Sequence, residues 1–448
     1  MIFIRTNSNR MNIEAISIGE MVILFTLSML TIYNIFNMSY LDFYRHDSGY
    51  YIDNYGYKFI TEGRWLNYLT FNISRSLPPI VNISIFFISS FCFFYLVSKS
   101  LDKDIKTSFL FALLCINSPP MYSLLLWPVT PSLSYLTLII LYLCHQNKMA
   151  TNEILFLSGI LSFGTYSNLH FLTPIIFFKY LVNTSYKNNV IFFIVWVVTF
   201  ILGYAFVNLL VYIVTYFNLD SATAINLSEW RNPNIVHNWI DLAINIRSIS
   251  LTIISDITNG FLLYPLIIMI CIIPFIKPNA VHIIWAILIF FSIYASCLYH
   301  GIMIEYRSIT SSFIAVFLIL LLSSKPFCKI SIIICCLILI YGNYNKIKWY
   351  SSRTSEVVSL FKDVEHQMNA PKERVVVYFN DEESSKFHLS NEGIPYRFQN
   401  INHVKIQQLM PYLKSKGFKQ IDFKDTEVIF TGEIRFENYD DASHIYFE

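Results

Sequence analysis

The residues best able to do chemistry are crowded between two apolar runs near the N-terminus, in the stretch YLDFYRHDSGYYIDNYGYKFITEGRWLNYL. It holds four carboxylates (Asp42, Asp47, Asp53 and Glu62), two arginines (Arg45 and Arg64), Trp65 and seven tyrosines. A carboxylate can serve as general base, a guanidinium can hold a phosphate through two parallel N–H bonds, and an aromatic face can stack on a sugar ring. All three types at the edge of a hydrophobic segment suit a reaction on a sugar linked to a lipid phosphate. Asp42 and Arg45 stand three residues apart, so on a helix leaving the first apolar run they share one face. A plainer reading competes. Tyr and Trp collect at membrane interfaces whatever the function, and a surface Asp42–Arg45 pair contributes under about 1 kcal/mol.

The chain that must position these groups is made for lipid. Of 448 residues, 55% are hydrophobic and only 14% charged, and the mean hydropathy is +0.49. Soluble proteins average about 25% charged residues. Disorder, collagen-like repeats and a cytosolic dinucleotide-binding enzyme are excluded. A net charge of +2 without any basic block gives no sign of nucleic acid as a partner. All eight cysteines lie in apolar runs and none forms C-x-x-C, so no disulfide framework, metal site or cofactor is expected. The first apolar run is too long for a cleavable signal peptide.

Apolar runs at about 16–38, 80–98, 107–122, 130–144, 153–167, 169–182, 190–217, 260–276, 281–298, 308–323 and 329–343 predict a polytopic α-helical membrane protein with about eleven transmembrane helices. Arg5 and Arg10 precede the first run, and Lys99, Lys103, Lys106, Lys148, Lys187, Lys277, Lys325 and Lys329 recur on the same side. The positive-inside rule then puts the N-terminus in the cytoplasm and, with an odd span count, the C-terminus outside. In a bacterium that means the inner membrane and the periplasm. The two long outside loops are 39–79 and 218–259. Within the second, Asn238, Asp241, Asn245, Ser248, Thr252 and Ser255 recur at helical steps, predicting an amphipathic helix that either lies on the membrane or packs on the bundle.

Residues 1–343 form the expected transmembrane domain and 344–448 a soluble α/β domain. The last 105 residues hold 14 of the 32 Lys/Arg and 16 of the 30 Asp/Glu. Helices are expected at Glu356–Met368 and Val404–Leu413, and strands at Arg374–Phe379, Glu427–Phe430 and His444–Phe447.

The run Asp42-Phe-Tyr-Arg45, followed by Gly63-Arg64-Trp65-Leu66 before the second apolar run, resembles the phage-encoded, serotype-converting O-antigen glucosyltransferases of the glucosyl transferase II family. Gly164-Thr165-Tyr166 and Arg307 extend the likeness, which covers roughly residues 16–325. One departure is Leu41, which stands where the family pattern has the first of two adjacent acids. The resemblance implies a GT-C-like fold and transfer of glucose from undecaprenyl-phosphate-glucose to a hydroxyl of O-antigen lipopolysaccharide on the periplasmic side. It also implies dependence on an enzyme that makes the donor and a flippase that delivers it. Asp42 would be the base, with Asp47 and Glu62 in reserve. Arg45, Arg64, Arg231 and Arg307 would hold the phosphate, and Trp65 and Tyr166 the sugar. No metal is required if two arginines converge.

Two other functions compete. An O-antigen polymerase would use the same donor class but tends to carry its large loop mid-chain. A lipid-linked oligosaccharide flippase or transporter would place ionisable residues deep in the spans, whereas Glu20 and Lys179 lie near span ends.

Overall fold

Apolar segments in hydrocarbon must satisfy every backbone N–H and C=O internally, and the helix does this within one segment. The computed structural model describes residues 17–39, 56–124, 131–219, 223–225, 233–259, 261–276, 279–302, 304–322 and 325–367, and beyond them 374–379, 386–388, 403–405, 413, 420–425, 434–438 and 442–447. In chain order, α1 (Ile18–Ser39) is followed by α2 (Gly56–Glu62), α3 (Trp65–Ser76), α4 (Pro79–Ser100), α5 (Ile105–Ile116), α6 (Pro119–Leu124), α7 (Ser134–Gln146) and α8 (Thr151–Gly164). A 3-10 segment, Ser167–Phe177, leads into α9 (Phe178–Asn183), α10 (Tyr186–Leu219), α11 (Trp239–Asn259), α12 (Leu263–Ile276) and α13 (Ala280–Ser296). A 3-10 turn, Tyr306–Ile309, opens α14 (Thr310–Leu322), and α15 runs from Lys325 to Gln367.

Among the described residues four stretches are long and apolar enough to cross a membrane: Ile18–Met38, Ile80–Ser100, Tyr186–Phe217 and Phe327–Ser352. A fifth counts if Trp239–Thr258 and Leu263–Pro274, which meet at 82°, make one bent span. Ile105–Ile116, Ser134–Gln146, Ala280–Ser296 and Tyr306–Leu322 are apolar but shorter. The chain is therefore a helical protein with several membrane-capable helices. The run at 169–182 is not one α-helix: Ser167–Phe177 winds as 3-10, with Pro174 inside it, where the missing N–H removes an α-helical bond.

Small and polar residues hold the helices together. α8 and α10 approach at Gly159 and Gly203, where a Cβ on Gly203 would stand 2.7 Å from the Gly159 carbonyl carbon. Such close backbone packing is how helices associate when lipid removes the hydrophobic drive. Asn34 Nδ2 donates to Ile340 O at 3.0 Å, and Asn343 Nδ2 to Asn117 O at 2.8 Å, pinning α15 to α1 and to the end of α5. Ile194, Val198, Ile201, Leu202 and Leu209 of α10 remain exposed, as lipid-facing side chains would be.

α11 coincides with the amphipathic helix expected in the second loop, and it packs on the bundle by a mixed face that buries Asn245, Ile249 and Asp256. Asn245 is buried and donates to Asn234 O and Leu298 O, while buried Asp256 accepts from Tyr294 Oη. Ile240, Ile244, Leu251 and Ile254 point outward.

α15 passes residue 344 without a break, so the expected domain boundary falls inside one helix, with Lys346 and Tyr350 buried. Beyond it come β1 (Arg374–Phe379), β2 (Lys386–His388), β3 (His403–Lys405), β4 (Gln420–Asp425), β5 (Ile434–Asn438) and β6 (Ser443–Phe447). Four of them form a sheet of order β4-β1-β6-β5, in which β1 runs parallel to β4 and β6, and β5 antiparallel to β6. Val375, Val377 and Ile445 are buried on one face. Tyr378 and Tyr446 stack on the other at 4.5 Å. β1 and β6 lie where strands were expected, and Glu356–Gln367 is helical. The helix expected from Val404 begins instead with β3, paired antiparallel to β2. Glu427–Phe430 lies outside the described residues.

The Gly159–Gly203 contact yields a stability prediction. Gly203→Leu should force α8 and α10 apart at a cost of about 1–3 kcal/mol, lowering the unfolding midpoint in detergent. Gly19→Ala, where an added Cβ meets nothing within 4 Å, should leave the midpoint unchanged.

Candidate functional site

A left-handed glycine builds one wall. α2 ends at Glu62, and Gly63 (φ +72) reverses the chain into α3. A Cβ there would stand 2.1 Å from Val207 Cγ1 and 2.7 Å from Ile225 Cδ1, so the position requires glycine on two counts. The turn brings Glu62 and Arg64 to the same side, where Arg64 Nη2 pairs with Glu62 Oε2 while Lys58 Nζ holds Glu62 Oε1. α3 is fastened to the end of α8 by Trp65 Nε1, which donates to Ile160 O at 3.3 Å, and by Asn67 Nδ2, which donates to Thr165 O at 3.2 Å. This fastening sets Arg64 beside Tyr166.

The opposite wall comes from the turn before α14. Glu305 precedes Tyr306–Ile309, and its carbonyl accepts from Ser308 N at 2.8 Å. Its carboxylate pairs with Arg307 Nη2, both side chains 10% exposed. The two walls thus carry the same device, a glutamate and an arginine two positions on. Tyr166 joins them: its hydroxyl donates to Arg307 O at 3.0 Å, and the Arg64 guanidinium lies 5.9 Å from its ring centre. Asn168 Nδ2 braces the joint by donating to Tyr166 Oη at 3.0 Å and to Ser308 O at 3.3 Å.

Between the walls is a pocket of about 150 Å³, whose lining includes Glu62, Arg64, Tyr166, Asn168, Glu305 and Arg307. It shares Phe163, Ser167, Asn168, Tyr204, Glu305 and Ser308 with a second, mainly apolar cavity of about 470 Å³. Phe171, Phe200, Ile201 and Ile293 line the apolar part, and His300 stands at its polar margin. Burial pushes the His300 imidazole down from its ordinary value, favouring the neutral ring. A small polar pocket backed by a larger apolar one fits an amphipathic ligand with an anionic head.

Of the residues singled out in the sequence, Glu62, Arg64, Tyr166 and Arg307 meet in this pocket. Trp65 does not line it. Its indole packs against Gly164, where an added Cβ would stand 2.7 Å from Nε1, so in this structure Trp65 is a fastener between α3 and α8. Asp42, Arg45, Asp47 and Arg231 lie outside the described residues. The sequence alone did not single out Glu305, Asn168, Ser308 or Lys346. Lys346 is fully buried in α15; its Nζ reaches Ser123 Oγ of α6 and lies 5.5 Å from the centre of the Tyr306 ring, directly behind Arg307. A lysine in an apolar helix was the available signal, hidden because the span was ended at residue 343. Among the described residues no three His, Cys, Asp or Glu side chains gather as a metal site.

Comparison of the chain with protein-family models, with curated proteins and with solved structures yielded no match. The reading of the site therefore rests on its own chemistry and on the motifs in the sequence.

Trp65→Phe tests its assignment as a fastener. Loss of the bond to Ile160 O should cost about 1 kcal/mol of stability, seen as a lower unfolding midpoint. The affinity for a polyprenyl-phosphate sugar should be retained even in Trp65→Leu, which removes the aromatic face and would weaken binding if Trp65 were a sugar-stacking platform.

Proposed function

We propose that the protein is a GT-C-like membrane glycosyltransferase that moves glucose from undecaprenyl-phosphate-glucose to a hydroxyl of O-antigen lipopolysaccharide. The observation that carries this reading is the convergence of Arg64 and Arg307, from distant parts of the chain, on one polar pocket that opens onto an apolar cavity. Two guanidiniums suit the phosphate, the Tyr166 ring edge and Asn168 border the sugar position, and the apolar cavity suits the first isoprene units. The motifs around Asp42 and Gly63–Leu66 supply the resemblance that names the sugar and the acceptor.

In a single displacement the acceptor oxygen bonds to the anomeric carbon as the bond from that carbon to the phosphate oxygen breaks. The acceptor proton passes to Asp42, with Asp47 in reserve. The leaving phosphate goes from diester to monoester and gains negative charge, which Arg64 and Arg307 stabilise more strongly than in the ground state. Arg45 and Arg231 are further phosphate contacts under this reading, and Glu62 holds Arg64 in place. The pocket lies at the periplasmic face of the bacterial inner membrane, with the N-terminus cytoplasmic and the C-terminal sheet periplasmic. A donor-synthesising enzyme and a flippase supply the lipid-linked glucose. The buried Lys346 lies within the membrane-capable stretch Phe327–Ser352, with its Nζ 5.5 Å from the centre of the Tyr306 ring, next in the chain to Arg307.

Transfer of labelled glucose from synthetic polyprenyl-phosphate glucose to purified lipopolysaccharide, in detergent with chelator, tests the proposal. The wild type should transfer. Arg64→Ala and Arg307→Ala should each lose about 10²–10³-fold in kcat, and Asp42→Asn about 10²–10⁴-fold. Absence of transfer by the wild type, or arginine variants as active as the wild type, would refute it.

A further inference from the structure

The two glutamate–arginine pairs look alike but are held differently. Glu62 is gripped from both sides, Lys58 on Oε1 and Arg64 on Oε2. Glu305 meets Arg307 through Oε2 alone among the described contacts. Glu305 also lines both the polar pocket and the apolar cavity. On the margin of that cavity stands His300, whose Nδ1 is buried without a hydrogen-bond partner among the described residues.

A guanidinium this deeply buried needs an anion at all times, since leaving such a charge uncompensated is strongly destabilising. A carboxylate and a phosphate ester present the same acceptor geometry to the same guanidinium fork. They therefore compete for Arg307. From this we infer that Glu305 is a displaceable counter-anion: it neutralises Arg307 in the empty pocket, and the phosphate of a lipid-linked ligand takes its place. The displaced carboxylate turns toward the apolar cavity's polar margin, where His300 can donate to it. When the reaction is over, the returning carboxylate expels the lipid phosphate. Glu305 thereby limits affinity for the head group and speeds release of the product, while Glu62 stays as a fixed brace for Arg64. The inference rests on the pocket being a phosphate site but requires no particular sugar or acceptor.

Binding of farnesyl phosphate and of farnesol to the full chain in detergent, by titration calorimetry, tests it without any transfer step. Glu305→Gln keeps the side-chain shape and removes the competing charge. It should bind farnesyl phosphate at least about tenfold more tightly than the wild type, dissociate from it more slowly, and bind farnesol unchanged. Glu62→Gln should show no tightening, because it removes the brace of Arg64. A role for Glu305 purely as a brace for Arg307 predicts weaker binding in Glu305→Gln, as for Glu62→Gln. Should Glu305→Gln fail to fold, Glu305→Asp, whose shorter reach loosens the pair, should tighten binding to a lesser degree. If the wild type binds farnesyl phosphate better than farnesol and neither Glu305 variant binds it more tightly, the displacement idea is overturned while the phosphate site stands. If no form prefers the phosphate, both the inference and the phosphate reading fall.

Discussion

Tyr166 is the strap on which the site depends. Its hydroxyl donates to the Arg307 carbonyl, and its ring faces the Arg64 guanidinium. One side chain thus ties the turn before α14 to the turn before α3. Everything that makes the pocket polar hangs on elements that converge there: Gly63 shapes one wall, Asn67 fastens it to α8, Asn168 braces the joint, and Lys346 supports Tyr306 from behind. The surrounding helices are held at close range by Gly159 and Gly203 and by asparagine side chains that bond to carbonyls of neighbouring helices. Removing the strap would leave two buried ion pairs on walls free to separate.

Holding Arg307 buried and Arg64 largely covered, each paired with a glutamate, carries a cost that stability alone does not explain. A buried carboxylate–guanidinium pair is seldom worth more than the apolar residues that could replace it. Two such pairs face one pocket, and a mainly apolar cavity lies beside them; under the proposed reading these are chemistry retained for a lipid-linked phosphate. The same economy applies to Lys346, fully buried in α15, whose position behind Tyr306 gives it a part in holding the Arg307 turn.

Much of this was legible in the sequence, for identifiable physical reasons. Gly63 and Arg64 stood out as part of the Gly63-Arg64-Trp65-Leu66 motif, and the structure gives that glycine a positive φ. Tyr166 and Arg307 were picked out by resemblance, and no local pattern could have joined residues so far apart in the chain. Trp65 packs on Gly164 and donates to Ile160 O, and in sequence an aromatic residue next to an arginine looks the same whether it meets a sugar or packs on a glycine. Of the apolar runs, four coincide with helices long enough to cross a membrane and others with shorter apolar helices, while the run at 169–182 contains a 3-10 segment with Pro174 inside it, which hydropathy does not register. In the C-terminal part, β1 was clear from RVVVYF. β4 was missed because its alternation, Ile421 and Phe423 between Gln420, Asp422 and Lys424, spans only a few residues, and its partner β1 lies far away in the chain. β3 was mistaken for the start of a helix because three residues carry too little periodicity to decide.

The central claim is that Arg64 and Arg307 hold one phosphate between them. A double-mutant cycle on farnesyl phosphate binding, using Arg64→Gln, Arg307→Gln and the double variant, tests it most directly. Two groups gripping the same phosphate should be coupled: each single variant should lose most of the affinity that the double variant loses, with an interaction energy of about 1 kcal/mol or more. Losses that simply add would mean that the two guanidiniums act independently and do not share one phosphate, and an affinity indifferent to both arginines would mean that the pocket is not a phosphate site.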